Sequence, residues 1–212
     1  MSTSTGSASP GFTVDISTFD FVYWGKGHQV DFRVTPSIHF SYTDSPGPVG
    51  SERYGYNVYD PTGGGNWPRG AGVGCEVQPL DVRAGATMMD VYPTGLVVLA
   101  GMEVISGGLD NKFYFQPSMY SCFWGSGSAI PPSQYNAGFF DPTSRLHGPK
   151  IEIQEWAGDT VLHILATESE CFYTTQNLRE TVVSYFRKVG SGASGSWEGP
   201  VIIDTAAWCW SG

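Results

Sequence analysis

Apolar and polar residues alternate along the chain in short runs, and clusters of Gly, Pro, Asn and Ser separate these runs. Period-two alternation between turn residues is typical of β-strands with one face buried. The most apolar run, residues 96–100, has the length of a strand, and no run reaches the 18 or so residues that a membrane-spanning helix needs. The pattern therefore predicts an all-β protein and no contact with a membrane.

The runs form a unit that recurs three times, each with four strand-like runs. A repeated four-stranded meander is typical of the blades of a β-propeller. A Trp lies where the fourth run of each unit is expected to begin, at Trp67, Trp124 and Trp197. A β-sandwich with coincidental Trp spacing is the alternative. We expect the chain to divide into a flexible leader at 1–11, an N-terminal strand at 12–27, blades at 28–82, 83–146 and 147–205, and a tail at 206–212.

Two segments resemble motifs of the sialidase-type propellers. Residues 60–67 and 190–197 resemble the Asp-box turn of those blades, since they keep its Gly and Trp but lack its Asp. Residues 32–36 resemble the Phe/Tyr-Arg-Ile-Pro motif with one inserted residue. The resemblance implies a propeller and, if Arg33 is a catalytic residue, a clamp on a substrate carboxylate.

Three blades are too few for a closed ring, because propellers have about 4–8. An open arc would leave two apolar blade faces in water. We therefore expect the chain to complete its ring by self-association or as part of a longer chain. The N-terminal strand could close a blade within one chain or across a dimer interface.

Composition and charge narrow the function classes further. Gly and Pro number 28 and 14, aromatic residues make up 14% and charged residues only 15%, which excludes helical bundles and disordered chains. The net charge of −9 and the absence of a basic stripe argue against a nucleic acid partner. No signal peptide is recognisable at the N-terminus, and the compartment stays open, with an extracellular or cell-surface location favoured.

Three acidic residues occupy similar places in the first strand of each unit: Asp31, Asp90 and Glu152. We expect them to line a common channel, where they would be hydrated, bind a cation such as Ca²⁺, or act in catalysis. His39 and His163 hold equivalent places in the second strands of units 1 and 3. Hydrogen-bonded core histidines are the simpler interpretation; a metal site needs further ligands nearby. No cofactor is indicated.

Aromatic residues near predicted loops exceed what the blades require, and sugars and protein partners both bind such surfaces. The candidates for ligand binding are Trp24, Tyr54, Tyr120, Trp156 and Tyr173. The four cysteines lack metal-binding spacing. Free buried thiols are the simpler interpretation, and disulfides in an exported protein are the alternative.

These features favour a non-catalytic propeller module that recognises a glycan or a protein through its loops. A fragment of a sialidase-like glycoside hydrolase is the alternative, and it requires Arg33 to meet further Arg residues beside a Tyr–Glu pair.

Overall fold

The structure, a computed structural model, describes residues 30–32, 36–44, 52–62, 67, 74–77, 84–105, 108–119, 121, 124, 128–129, 146–168, 181–192 and 194–206. Every regular element in these ranges is a β-strand, which confirms the all-β prediction. No helix able to cross a membrane occurs among them. Outside the described residues lie the predicted leader, the whole of the predicted N-terminal strand region and the tail after Ala206.

Twelve strands form three four-stranded sheets, each built from strands that follow one another along the chain. Sheet 1 contains β1 (Val30–Asp31), β2 (Ile38–Asp44), β3 (Arg53–Tyr59) and β4 (Cys75–Glu76). Sheet 2 contains β5 (Ala84–Val91), β6 (Val97–Ile105), β7 (Gly108–Phe115) and β8 (Ser128–Ala129). Sheet 3 contains β9 (Leu146–Trp156), β10 (Asp159–Glu168), β11 (Thr181–Val189) and β12 (Ser196–Ala206). Every pairing among these described strands is antiparallel, and none of the three sheets that they form closes on itself.

The prediction that a Trp begins each fourth strand is correct only in unit 3. Trp197 is the second residue of β12, but Trp67 and Trp124 lie before the short strands β4 and β8. An aromatic residue favours a strand because it fits a pleated, half-buried surface. Here Trp67 and Trp124 obtain burial from side chains of neighbouring strands instead.

Sheet 2 lies between sheets 1 and 3, so it is covered on both sides. We call the side of each sheet that carries His39, Val98 or His163 its front face, and the side that carries Phe40, Leu99 or Ile164 its back face. The front face of sheet 1 packs on the back face of sheet 2, where Tyr56 and Val58 meet Met89 and Leu99. The front face of sheet 2 packs on the back face of sheet 3 in the same way.

The expectation of free thiols is wrong for Cys75, which is buried and disulfide-bonded. It lies beside Tyr56 in the core between sheets 1 and 2. A disulfide persists mainly in oxidising compartments. Cys122, Cys171 and Cys209 lie outside the described residues.

Candidate functional site

The strand register places the three predicted acids at one equivalent position. Each acid of a first strand lies directly opposite a residue of the second strand: Asp31 opposite His39, Asp90 opposite Val98, and Glu152 opposite His163. All six residues lie on front faces. The three units therefore share the same register at this pair of positions and at the preceding first-strand residue.

The surroundings of the three acids differ. Asp31 is buried beside His39, whereas Glu152 is exposed. Asp90 is fully buried, and its Oδ1 and Oδ2 accept hydrogen bonds from the backbone N–H groups of Val91, at 2.8 Å, and Ile153, at 2.5 Å. Asp90 thus joins β5 of sheet 2 to β9 of sheet 3, because both of its oxygens are occupied by backbone amides.

The two equivalent histidines form the same contact. His39 Nδ1 lies 2.9 Å from the Tyr56 hydroxyl oxygen, and His163 Nδ1 lies 2.6 Å from that of Tyr185. Both pairs stack their rings, with centroids 6.1 Å and 5.9 Å apart. Within the described ranges, no group of three or more His, Cys, Asp or Glu residues is placed to hold a metal.

Burial changes the acid–base behaviour of His39. Removal from water lowers the pKa of His39 to about 4, and the neighbouring Asp31 carboxylate opposes this shift only partly. The imidazole is therefore neutral near pH 7, and it bonds to the Tyr56 hydroxyl as an uncharged group.

The front face of sheet 3 exposes apolar side chains at positions that are buried in the other two sheets. Ala100 of sheet 2 is fully buried, and Ser41 of sheet 1 is buried, but Leu165 at the same register position is 41% exposed. The neighbouring β12 adds Val201 at 53% exposure, directly opposite Tyr185. Across this face Arg187 forms an ion pair with Glu198, with Nη2 and Oε2 2.5 Å apart.

The back face of sheet 1 also exposes apolar side chains at positions that are buried in the other two sheets. Val30 is 48% exposed, whereas its register equivalents Met89 and Ile151 are buried in the two cores. Phe32, the next back-face residue, is 69% exposed, whereas its equivalent Val91 is buried. Apolar side chains thus remain in contact with water at both ends of the stack of sheets.

Two of the three Trp residues that the repeat singled out, Trp124 and Trp197, pack on equivalent rings of the preceding sheet. Trp124 of unit 2 contacts Tyr56 on the front face of sheet 1, with ring centroids 5.1 Å apart. Trp197 of sheet 3 contacts Phe113 on the front face of sheet 2, at 5.8 Å. Tyr56 and Phe113 occupy one register position, opposite Ser41 and Ala100.

Trp67 of unit 1 lies on the back face of sheet 1. Its ring contacts Phe40 and Tyr59, with centroids 5.6 Å and 5.2 Å apart. In sheet 3, Tyr185 occupies the position that Tyr56 and Phe113 hold in the other two sheets, opposite Leu165. The contact between neighbouring sheets pairs a Trp with an aromatic ring. Sheet 3 carries such a ring, Tyr185, at one end of the stack, and sheet 1 carries such a Trp, Trp67, at the other end.

Of the predicted ligand-binding aromatics, Tyr54 and Trp156 are described. Tyr54 is fully buried, with its ring centroid 5.5 Å from that of Tyr114, which leaves no surface for a ligand. Trp156 is 64% exposed where β9 ends, next to the two-residue turn formed by Ala157 and Gly158, both with positive φ. The candidates Trp24, Tyr120, Tyr173 and Arg33 lie outside the described residues.

The burial of one charged residue in the core, Lys188, could not be predicted from the sequence. Lys188 is buried, and its Nζ donates hydrogen bonds to the backbone oxygens of Gly192, at 2.7 Å, and Ser194. The ammonium also lies 5.1 Å from the centre of the Phe115 ring of sheet 2. Burial lowers the pKa of Lys188. The alternation of β11 predicts which face Lys188 occupies but not the carbonyl groups that surround it.

Comparison with protein-family models, curated proteins and solved structures finds no significant match to this chain. The geometry of its two end faces is therefore the basis for a proposal about its function.

Proposed function

We propose that this chain is a non-catalytic binding and assembly module of the β-propeller type. Its three sheets are consecutive blades, and its two end faces bind further β-sheets. The observation that carries the proposal is the burial of equivalent positions. On the front faces, Ser41 of sheet 1 and Ala100 of sheet 2 are buried, but Leu165 at the same register position of sheet 3 is exposed. On the back faces, Met89 of sheet 2 and Ile151 of sheet 3 are buried, but Val30 at the same register position of sheet 1 is exposed.

The free energy of burying apolar surface favours coverage of these faces by another protein surface. Leu165, Val201, Val30 and Phe32 keep apolar area in water, and covering such area contributes roughly 25 cal/mol per Å². Exposed apolar patches rimmed by polar residues are typical of protein interaction sites. Here the Arg187–Glu198 ion pair and the exposed Glu152 side chain lie in a row across the sheet, next to the row of Leu165 and Val201. The face therefore combines apolar and charged side chains, as protein interfaces do.

Recognition of a glycan or a protein is assigned to the exposed turn between β9 and β10. Trp156 presents its ring there without covering from the described residues. A flat indole surface stacks on sugar rings and also anchors protein interfaces.

A glycosidase activity has less support. A Tyr–Glu pair does occur, because the Tyr114 hydroxyl donates a hydrogen bond to Glu103 Oε1, but both side chains are buried between strands of sheet 2 and the facing sheet 1. A substrate would have to separate the two sheets to reach that pair. Turnover of any substrate in a panel of fluorogenic sialosides, lost in Arg33→Ala, would contradict the non-catalytic assignment.

An extracellular or cell-surface location is part of the proposal. Its support is the disulfide at Cys75, since disulfides are rare in reducing compartments.

Oxidative footprinting tests whether the end faces are covered when the protein functions. The particle isolated from the cells that make the protein is compared with the recombinant chain at high dilution. We expect Leu165 and Phe32 to be oxidised more slowly in the native particle, because a covering sheet excludes the radical. Met119, exposed in the turn after β7, is the control and keeps its rate. Equal oxidation of Leu165 and Phe32 in both samples would overturn the assignment of these faces as interfaces.

A further inference from the structure

We propose that the partner of these end faces is a second copy of this chain, bound head to tail. The front face of sheet 3 in one copy packs on the back face of sheet 1 in the other. This inference rests on the proposed function, which requires a covering sheet but does not name it.

The first support is continuity with the interfaces inside the chain. Both internal interfaces pair a front face with a back face, sheet 1 on sheet 2 and sheet 2 on sheet 3. The two faces left over are again one front face and one back face. The interface is therefore heterologous, with different surfaces on the two partners, and it closes into a ring when the rotation between copies is suitable. Two copies supply six sheets, within the range of about 4–8 blades that closed propellers have.

The second support is the Trp contact. In both internal interfaces, a Trp of one unit packs on the aromatic ring of the preceding sheet, at Tyr56 or Phe113. Sheet 3 presents Tyr185 at that register position, and Trp67 lies on the back face of sheet 1. Extension of the repeat brings Trp67 of the second copy onto Tyr185.

The third support is the acid that bridges neighbouring sheets. Asp90 accepts a hydrogen bond from the backbone N–H of Ile153 in the next sheet. Glu152 holds the position of Asp90 in sheet 3, and Phe32 holds the position of Ile153 in sheet 1. The arrangement seen between sheets 2 and 3, if formed between two copies, places the exposed Glu152 carboxylate next to the backbone N–H of Phe32 in the second copy.

Sedimentation velocity of the full chain over a range of concentrations tests the proposal. We expect a reversible monomer–dimer equilibrium for the wild type. Leu165→Glu changes only the front face of sheet 3, and Phe32→Glu changes only the back face of sheet 1. Each is expected to raise the dimer Kd at least about tenfold, because a charge replaces an apolar contact at the centre of an interface. Met119→Glu, an equivalent change at an exposed apolar residue away from both faces, leaves the Kd unchanged.

Mixing the two variants distinguishes this geometry from other dimers. Leu165→Glu retains an intact sheet 1 face and Phe32→Glu an intact sheet 3 face, so an equimolar mixture recovers one working interface and associates more tightly than either variant alone. Recovery in the mixture supports the head-to-tail contact. A mixture as weak as the separate variants would overturn it, because a symmetric interface behaves in that way. If Leu165→Glu does not fold, as judged by near-ultraviolet circular dichroism, Val201→Lys replaces it on the same face.

Failure of this inference is separable from failure of the proposed function. A wild-type chain that remains monomeric at all concentrations overturns the second copy as partner. Slower oxidation of Leu165 in the native particle would then still support a covering sheet from another protein. Monomers together with unchanged oxidation would overturn both proposals.

Discussion

The carboxylate of Asp90 accepts a hydrogen bond from the backbone N–H of Ile153, with Oδ2 and N 2.5 Å apart, and so connects two separate sheets. Its other oxygen accepts the N–H of Val91. The Asp90 side chain thus links sheets 2 and 3, whose described strands are not paired with each other by backbone hydrogen bonds.

Asp90→Ala is expected to lower the free energy of unfolding by about 2–4 kcal/mol, because it leaves two N–H groups without their charged acceptor. Urea denaturation measures the loss. Glu155→Ala, at an exposed position in β9, is the control and should change stability by less than about 0.5 kcal/mol. Equal stability of the two variants would contradict a structural role for the Asp90 bridge.

The stability of the protein should decrease between pH 7 and pH 4 because of His39. The pKa of His39 is 6.5 in an unfolded chain and about 4 in the folded protein, so the unfolded state binds more protons in this range. The contribution is fully present above pH 6.5 and is lost progressively down to pH 4, with a maximum of about 3 kcal/mol. His39→Gln should flatten the dependence of the unfolding free energy on pH. Titration of the His39 ring by nuclear magnetic resonance measures its pKa directly, and a value near 6.5 would contradict the burial effect.

Lys188→Met should loosen the turn that follows β11. The Lys188 ammonium holds the backbone oxygens of Gly192 and Ser194, and loss of these charge-assisted hydrogen bonds is expected to cost about 1–3 kcal/mol. Amide hydrogen exchange in the turn should become faster before the rest of sheet 3 is affected. Lys150→Met, at an exposed position of β9, is the matched control. An increase in stability would show instead that burying the ammonium costs more than its hydrogen bonds return.

Trp197 and Trp156 allow a comparison of one residue type in two environments. Trp197 packs on Phe113 and borders the core between sheets 2 and 3, so Trp197→Ala should cost about 3–5 kcal/mol. Trp156→Ala removes an exposed ring and should cost less than about 0.5 kcal/mol at concentrations where the chain is monomeric. Thermal unfolding at low protein concentration measures both. Similar losses for the two variants would mean that Trp156 is covered within the monomer.

Much of the local structure of this chain could be predicted from its sequence. Alternation between turn residues predicted the first three strands of each unit, because a strand with one buried face has a period of two. Matching units along the chain also predicted that Asp31, Asp90 and Glu152 occupy equivalent positions, which the register shows. The short strands β4 and β8 could not be predicted in the same way, since two residues carry no periodic pattern.

The tertiary structure alone decided which equivalent residues are buried. Leu165 and Ala100 hold the same register position, yet a following sheet covers Ala100 and no described residue covers Leu165 in the same way. The same packing placed Tyr54 in the core and left Trp156 in water. Burial depends on which sheet lies above a face, and this is a long-range property that the local alternation of apolar and polar residues does not contain.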